Sequence, residues 1–290
     1  MSADVTVSGD ATAHMDAAAE LAASTTAYFR GLQGRICTAF EALEPSCRFE
    51  ARSWSKPAGH RLQGGGESRV MRGAVFEKVG VNVSHVWGVL EPRSRAQVGG
   101  AEESDGRFLA CGISLVAHMT NPYVPAVHMN LRYLATSRAW FGGGSDLTPT
   151  FPFEEDTQEF HEALRRACEG FRPGAYALFK AWCDRYFYLP HRQEPRGVGG
   201  IFFDDLAAGT DGTELGFVRA AGEAVLEVYP RIVARRKDTP YDAAAREQLL
   251  LKRGRYVEFN LVYDRGTRFG FSTDADPDAY LMSLPPLVRW

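Results

Sequence analysis

Two stretches near the middle of the chain alternate apolar residues with side chains that can bind ligands or transfer protons. The polar members are Ser114 and His118 in the first stretch, and His128, Asn130 and Arg132 in the second. Successive side chains of a strand point to opposite faces, so each set shares one face if the stretches are strands. A hydroxyl, two imidazoles, an amide and a guanidinium on one surface suit an acidic or hydrogen-bonding ligand. An amphipathic strand with its polar side in water would give the same pattern.

The residues between these polar positions predict how the two stretches are arranged. Val127, Met129, Leu131 and Tyr133 take the opposite face of the second stretch and favour contact with a hydrophobic core. The segment 121–125, Asn-Pro-Tyr-Val-Pro, favours a connection that reverses the chain. We therefore expect a two-stranded patch that is polar on one face and apolar on the other.

Two adjacent carboxylates, Asp204 and Asp205, follow the apolar residues Phe202 and Phe203. A carboxylate beside an apolar wall is a candidate for a general base or for binding N–H groups. Strand alternation sends the two side chains to opposite faces, so only one enters a shared pocket unless the chain bulges there. We favour Asp204 as the catalytic carboxylate, because it shares a face with Phe202. An acidic turn at the end of a strand is the alternative.

Four histidines lie in separate predicted elements: His118, His128, His161 and His191. They lack the His-x-His or His-Glu-x-x-His spacing of compact metal motifs, although metal ligands can be distant in sequence. The alternative is that His118 and His128 hydrogen-bond a ligand or each other, while His161 and His191 have structural roles.

Arginines near glycine-rich or polar-faced segments form a third group of candidates. They are Arg69, Arg132, Arg192, Arg196, Arg255 and Arg268. A guanidinium binds a carboxylate through two hydrogen bonds, so converging arginines would suit a substrate with several carboxylates. Arg132 is the strongest candidate from the pattern because it shares a predicted face with His128 and Asn130, and we also assign Arg196 to substrate binding.

Composition limits the classes of protein to which the chain can belong. It has 290 residues, 45% of them hydrophobic, and a formal net charge of -3. The absence of a broad basic field argues against nucleic acid as a partner, and no apolar run approaches the ~20 residues that span a membrane. Five scattered cysteines without a Cys-x-x-Cys pair favour free thiols, and the N-terminus lacks the features of a secretion signal. The default localisation is the cytoplasm.

The spacing of apolar residues and the positions of turn-forming residues predict a single α+β domain over residues 16–290, after a disordered tail at 1–15. Helices are expected over 17–43, 153–170 and 215–236, with another starting at Pro173. Residues 70–86 are predicted as strands. Residues 64–69 are predicted as a flexible loop and glycines 142–144 as a tight turn. Residues 255–270 are predicted as a hairpin with its turn at 264–266. The strands should form an antiparallel sheet covered by helices.

Several long blocks of this sequence resemble the oxygen-dependent coproporphyrinogen III oxidases. The blocks are Val75-Phe-Glu-Lys-Val-Gly-Val-Asn-Val-Ser-His, residues 114–132, Trp140-Phe-Gly-Gly-Gly, Asp146-Leu-Thr-Pro, Tyr186-Phe-Tyr-Leu-Pro-His-Arg, Arg196-Gly-Val-Gly-Gly-Ile-Phe-Phe-Asp-Asp-Leu, Gly254-Arg-Tyr-Val-Glu-Phe-Asn-Leu-Val-Tyr-Asp-Arg-Gly-Thr and Ser283-Leu-Pro-Pro. The resemblance implies a large, flat antiparallel sheet between layers of helices and a homodimer. It also implies oxidative decarboxylation of two propionates of coproporphyrinogen III by O2, which gives the vinyl groups of protoporphyrinogen IX in haem biosynthesis.

The same resemblance implies roles for individual residues. Ser114 and the block Asn130, Leu131 and Arg132 match substrate-contact positions, and His128 matches a proton donor. His118, His128, His161 and His191 match ligands of a divalent cation such as manganese. O2 is the implied co-substrate, and no organic cofactor is implied. One of Asp204 and Asp205 would polarise a pyrrole N–H as part of this chemistry.

Two departures from the family pattern leave alternatives open. Asp274-Ala275-Asp276 replaces a Gly-Gly-Arg that contacts substrate in the family, and an aspartate would repel a propionate. Relatives are also expected to continue beyond the position that matches Trp290. A paralogue that binds a tetrapyrrole with altered or lost turnover is therefore the alternative function. A metal-dependent hydrolase built on the histidines is a third, less supported reading.

Overall fold

A computed structural model describes residues 7–272 and 276–290 of the chain. Seven strands form one antiparallel sheet in the order β1-β2-β3-β4-β5-β6-β9. The strands are β1 (Glu50–Ser55), β2 (Leu62–Met71), β3 (Phe76–Val89), β4 (Arg107–Met119), β5 (Ala126–Ala135), β6 (Ala139–Thr148) and β9 (Gly199–Ala207). A small separate hairpin pairs β7 (Tyr188–Leu189) with β8 (Glu194–Pro195). The predicted central pair is thus confirmed as β4 and β5.

Helices cover the sheet and confirm the α+β class. They are α1 (Val7–Glu41), α2 (Pro92–Arg95), α3 (Glu154–Phe171), α4 (Ala175–Tyr186), α5 (Thr213–Arg236), α6 (Ala243–Val262), α7 (Arg265–Ser272) and α8 (Pro277–Tyr280), followed by a 3₁₀ turn at Leu281–Ser283. The helices predicted over 153–170, from Pro173 and over 215–236 are confirmed. The first helix begins at Val7, so residues 7–15 are helical where a disordered tail was expected. The remainder of that predicted tail lies outside the described residues.

One face of the sheet packs against α1, α3 and α5 and forms the main core. Alternate residues of the central strands point to it and are at most 2% exposed: Val79, Val81, Val83, Ile113, Leu115, Val127, Met129 and Leu131. Removing these large apolar side chains from water supplies most of the stabilisation, at about 25 cal/mol per Å² of apolar surface. The intervening residues point to the opposite face, called here the site face. This face carries α6 and the 3₁₀ turn over part of its area, through contacts among Val116, Tyr256 and Met282. It also carries α8, whose Ala279 carbonyl accepts a hydrogen bond from Asn82 of β3.

Two glycine-rich segments differ from their predictions. Residues 64–66 lie inside β2, where a flexible loop was expected, and residues 142–144 lie inside β6, where a tight turn was expected. A side chain at Gly143 or Gly144 would collide with the backbone oxygen of a neighbouring strand, at 2.5 and 2.4 Å from the added Cβ. The glycines of β6 therefore permit close packing within a buried strand and do not reverse the chain.

Residues 255–262 belong to α6 and residues 265–270 to α7, with a two-residue connection between them, so the predicted hairpin is wrong. The run Arg-Tyr-Val-Glu-Phe-Asn-Leu-Val-Tyr alternates as a strand would, but its buried residues also recur at helical spacing. Leu249, Arg253, Tyr256 and Asn260 are each at most 6% exposed and lie on one side of α6. Short apolar runs fit both periods, and here tertiary packing against the site face decides the outcome.

The structure also bears on two predictions from composition. All five cysteines are free thiols, as their spacing predicts. None of the helices in the described part of the chain is long and apolar enough to cross a lipid bilayer.

Candidate active site

Cross-strand register brings the predicted polar residues into adjacent rows on the site face. Three such rows run across β4, β5 and β6, and we call them the first, second and third rungs. The first rung contains Val116, His128 and Asp146. Residues that pair directly across antiparallel strands have side chains on the same face about 4.5–5.5 Å apart. The two strands that the sequence singled out therefore do present their polar residues together.

His128 on the first rung is held by a buried ion pair. Its Nδ1 donates to Asp146 Oδ1 at 2.9 Å, because a carboxylate can only accept. Asp146 in turn accepts two hydrogen bonds from Arg196 Nη2, at 2.7 and 2.8 Å. The Nδ1 contact leaves Nε2 of His128 as the nitrogen that can gain or lose a proton at the site. Its side chain is 21% exposed, whereas those of Asp146 and Arg196 are 1% and 2% exposed.

The charge of Asp146 is maintained despite its burial. Burial alone would raise the pKa of this carboxyl, but the Arg196 guanidinium and the hydrogen bond from His128 outweigh it and hold the pKa below its ordinary value. Asn260 accepts another hydrogen bond from Arg196 at 3.0 Å, and Phe187 lies under the guanidinium at 4.0 Å. Arg196, Asp146 and His128 thus form a pre-organised series that orients one imidazole.

The third rung carries a second carboxylate–arginine pair. Arg132 Nη2 lies 2.9 Å from Asp204 Oδ2, and Arg132 Nη1 donates to Asn130 Oδ1 at 3.1 Å. Arg265 of α7 approaches the same Asp204 oxygen at 3.2 Å from the other side. The Arg132 and Asp204 side chains are 30% and 13% exposed, so this pair borders solvent. Two guanidiniums around one carboxylate leave a net positive charge that favours a further anion.

A β-bulge explains how adjacent Asp204 and Asp205 reach different surroundings. Phe141 pairs with Leu206 while Gly143 pairs with Phe203, so two residues of β9 oppose the single Gly142 of β6. Asp205 has a φ of 54° at this bulge, and its carboxylate is 58% exposed beside Arg138. Only Asp204 lies beside Arg132 on the site face, and a bulge, not regular alternation, separates its surroundings from those of Asp205.

The second rung supplies uncharged polar groups between the two charged clusters. It runs through Asn82, Ser114 and Asn130, which are partly exposed, and continues to Gly144. Asn82 Nδ2 donates to the Ala279 carbonyl of α8 at 2.9 Å and so links the sheet to its cover. The rung presents hydroxyl and amide groups that can bind polar atoms of a ligand.

An apolar margin lies beyond the third rung. Val86, Ala110 and Leu134 are partly buried, and Phe269 of α7 packs in the same cluster. Between this margin and the second rung, the third rung is made of small residues, Ser84 and Gly112, before it reaches Arg132. This part of the site face has small residues in its middle row, polar groups on one side, apolar groups on the other and charges at one end, and we call it the trough. Such a surface suits a large apolar molecule that carries carboxylates.

Comparison with known proteins identifies the family. The family described as coproporphyrinogen III oxidase matches residues 24–290. The chain is 48% identical over 275 residues to the oxygen-dependent coproporphyrinogen-III oxidases of Rickettsia bellii (strain OSU 85-389) and Rickettsia akari (strain Hartford), and 47% identical to that of Rickettsia rickettsii (strain Sheila Smith). Each alignment covers 92% of this chain and 97% of the relative. The chain belongs to the coproporphyrinogen III oxidase family.

This coverage corrects one expectation and weakens another. Because 97% of each of these relatives is matched, they have no long additional segment, contrary to the prediction that relatives continue beyond the match to Trp290. Family membership at this identity does not support a paralogue without turnover or a metal-dependent hydrolase. Of the departure at 274–276, Asp274 and Ala275 lie outside the described residues. Asp276 lies 3.3 Å from Arg52 and caps α8 by accepting from the Asp278 N–H, so its charge already has a partner.

Two residues predicted to bind substrate do not line the site with their side chains. Leu131 is 1% exposed on the helix-facing side of β5, within the main core. Arg196 is 2% exposed and supports Asp146 from inside the protein, so it acts through other residues. Ser114, Asn130 and Arg132 do lie at the site face of this family member, where their predicted alternation put them.

The structure does not bring the four predicted metal ligands together. Within residues 7–272 and 276–290, no group of three or more His, Cys, Asp or Glu side chains is arranged to hold a metal ion. His118 is 1% exposed, and its Nε2 donates to the Ser283 carbonyl at 2.8 Å. Burial lowers the pKa of His118 to about 3, so it is a neutral structural histidine here.

The other two predicted ligands have both ring nitrogens engaged. His161 lies between the Val198 carbonyl, 3.1 Å from Nε2, and the Tyr176 hydroxyl, 2.9 Å from Nδ1. His191 Nε2 lies 2.7 Å from Glu258 on α6, and its Nδ1 lies 2.9 Å from a tyrosine hydroxyl of the same region. These partners match the structural roles that the sequence left as the alternative. The residues present do not fit a four-histidine metal site, so no step of the chemistry is assigned to a metal.

Asp146 is not among the site residues predicted from the sequence, although it contacts both His128 and Arg196 directly. Asp146 alternates along β6 with Gly142 and Gly144, so the pattern places all three on one face. That signal was available, but only the pairing of His128 with Asp146 shows that this face meets the predicted polar strand.

Proposed function

We propose that this chain catalyses the oxygen-dependent oxidative decarboxylation of two propionates of coproporphyrinogen III, which yields protoporphyrinogen IX for haem biosynthesis. The observation that carries the proposal is the trough on the site face, where His128 on the first rung and the Arg132–Asp204 pair on the third rung flank the polar second rung of one sheet. Its polar, apolar and cationic parts correspond to the carboxylates and hydrocarbon surface of a tetrapyrrole. Membership of the coproporphyrinogen III oxidase family and the names of the Rickettsia relatives agree with this activity.

Arg132 is the residue we assign to a reacting propionate. Its guanidinium is partly exposed and is shared between Asp204 and Asn130, so it can accept a further carboxylate without breaking a buried pair. Ser114 and Asn130 on the second rung would fix polar groups at the edge of the macrocycle. The apolar margin of Val86, Ala110 and Leu134 would contact its hydrocarbon surface.

Asp204 is the carboxylate we assign to the pyrrole N–H. An ionised carboxylate that accepts this hydrogen bond increases the electron density of the pyrrole and prepares it to lose two electrons to O2. The partner arginines, Arg132 and Arg265, keep Asp204 in place at the border of the trough. Asp205, exposed and paired with Arg138, has no part in this step.

His128 is the proton donor in this proposal. Each propionate anion that becomes a vinyl group consumes one O2 and one proton and releases one CO2 and one H2O2. The β-hydrogen and the electron pair of the broken bond to the carboxylate account for the reduction of O2. The proton must come from the protein, and His128 Nε2 can supply it while Asp146 stabilises the imidazolium through Nδ1.

The direct test is turnover of coproporphyrinogen III with and without O2, followed as porphyrin fluorescence after chemical oxidation. We expect protoporphyrin only in the aerobic reaction, together with CO2 and H2O2 in equal amounts. A parallel reaction after chelator treatment separates any metal requirement. Tight binding of coproporphyrinogen III without product under air would contradict the proposal and favour the paralogue.

We also propose that the protein works as a homodimer in the cytoplasm, with its contact around residues 254–270 of α6 and α7. Large apolar side chains are exposed at the end of α6 and beside the C-terminal segment that packs on it: Leu261, Val262, Leu287 and Trp290, at 43–69%. Light scattering at micromolar concentration should give twice the mass of one chain, and Val262→Glu should shift it towards the monomer. A monomeric parent with full activity would contradict the dimer.

A further inference from the structure

The third rung continues beyond the residues already assigned to the site. From Arg132 it passes through Gly112 and Ser84 to Gly66 on β2, and ends at Trp54 on the edge strand β1. Directly paired residues share a face, so Trp54 and Arg132 both stand on the site face in one row. Four strand spacings of about 4.8 Å separate them, which makes the row about 19 Å long. No side chain between them is larger than serine.

The indole of Trp54 lies over the glycine strand on this face. A Cβ added at Gly66 would lie 2.8 and 2.9 Å from Cζ2 and Cε2 of Trp54, so only glycine leaves room for the ring. Trp54 is partly exposed, while the residues on either side of it in β1 are exposed. An aromatic ring therefore closes the end of the trough that is farthest from the Arg132–Asp204 pair.

We propose that Trp54 is a binding residue that holds the far side of the tetrapyrrole, an inference that rests on the proposed function. The macrocycle carries its carboxylates around its rim, so one arginine cluster at one end cannot set its tilt. Pyrrole rings offer electron-rich faces and N–H edges that pack favourably against an indole. Contact with Trp54 would keep the macrocycle flat along Ser84 and Gly112 while a propionate lies at Arg132.

A purely structural role for Trp54 is the competing explanation. An aromatic residue that covers a glycine of a neighbouring strand also stabilises a sheet edge. Such a role predicts lower thermal stability on substitution but no selective loss of binding. The two explanations are separated by measuring binding in the folded variants.

The first experiment measures the Kd of coproporphyrinogen III under anaerobic conditions, where O2 is absent and no turnover occurs. We expect Trp54→Ala to raise the Kd about tenfold and Trp54→Phe to raise it less than threefold. The matched control is Trp87→Ala, because Trp87 is 45% exposed on β3 beside His85. By strand alternation its position lies on the opposite face of the sheet from Ser84. Trp87→Ala should leave the Kd unchanged. A Kd for Trp54→Ala within twofold of the parent would overturn the inference.

A second measurement does not depend on the folding of the alanine variant. Tryptophan emission of the parent should change when the colourless substrate binds anaerobically, and Trp54→Phe should lose most of that change. Trp87→Phe should retain it. Retention of the full change in Trp54→Phe would also overturn the inference. If the parent itself does not bind coproporphyrinogen III, the proposed function fails instead, and the role of Trp54 falls with it.

Discussion

Two carboxylate–arginine pairs lie on the site face, and burial separates what each can do. The side chains of Asp146 and Arg196 are 1% and 2% exposed, whereas those of Asp204 and Arg132 are 13% and 30% exposed. Coulomb attraction is stronger where water is excluded, and a buried charge that loses its partner is costly. The buried pair of Asp146 and Arg196, called here the closed pair, is therefore suited to orient His128. The pair of Asp204 and Arg132, called the open pair, borders solvent and is suited to exchange partners with a substrate. The same two residue types give rigidity in one place and recognition in the other.

The largest expected effect concerns the carboxylate of the open pair. Asp204→Asn keeps the shape and one hydrogen-bond acceptor but removes the charge that polarises the pyrrole N–H. We expect kcat to fall by about 10²–10⁴-fold, the usual range for losing general acid–base assistance, with a much smaller change in substrate Kd. Steady-state kinetics and anaerobic binding measure the two quantities.

Asp205→Asn is the matched control for Asp204→Asn. The residue is adjacent in sequence, but the bulge at Gly142 directs it to Arg138 at the surface. We expect kcat within about twofold of the parent, because exposed ion pairs contribute little. Full activity in both asparagine variants would remove the carboxylate from the chemistry and leave His128 as the source of proton handling.

Breaking the closed pair should give the next largest effect, which falls on the stability of the fold. Arg196→Ala leaves the Asp146 carboxylate buried without a charge partner, which costs about 3–5 kcal/mol in the free energy of unfolding. Thermal unfolding should show a drop of several degrees. Arg231→Ala is the control, since its pair with Glu159 is 49% and 26% exposed and should contribute at most about 1 kcal/mol. Equal losses in the two variants would contradict the distinction drawn from burial.

Arg132→Ala removes the arginine of the open pair. We expect substrate binding to weaken by about 2–5 kcal/mol, because a desolvated propionate loses its charge partner. The unfolding midpoint should change little, since the pair borders solvent. Arg138→Ala, which breaks the exposed pair with Asp205, should leave kcat/KM near that of the parent. An unchanged KM and kcat/KM in folded Arg132→Ala would contradict the assignment.

The faces of the central strands could be predicted because alternation has a period of two and both faces carry distinct residues. Residues 126–135 alternate between partly buried and buried along the whole of β5, and His128, Asn130 and Arg132 occupy the partly buried positions. Long amphipathic helices such as α3 could be predicted from the sequence for the same reason. These features depend on local spacing, which a single sequence contains.

Features that depend on which segments meet were not predictable. The contact of Asp146 with His128 depends on the register of β5 against β6. The position of Asp205 at the surface depends on the bulge in β9. Gly66 and Trp54 face each other only because β1 pairs with β2 in one register. In α6, Tyr256 and Asn260 fit a strand or a helix equally well until the site face is present to pack against. Register and packing are set by contacts distant in sequence, so residue types alone cannot supply them.

A third acidic group, Glu258, extends the comparison, because its pair with Arg192 is about as exposed as the pair of Asp204 with Arg132. Its side chain is 13% exposed, while its partner Arg192 is 39% exposed. The hydrogen bond from Arg192 is the largest cause that lowers the pKa of Glu258 from 4.5 to about 2, with further help from His191. A carboxyl whose folded pKa is depressed stabilises the fold above its unfolded pKa and loses that contribution as the pH falls towards the folded pKa. Glu258→Gln should therefore lower the unfolding midpoint slightly at pH 7, by an amount equivalent to about 1 kcal/mol or less after solvent screening. The difference from the parent should shrink between pH 4.5 and 2, and a difference that stays constant down to pH 3 would show that Glu258 contributes packing and not charge.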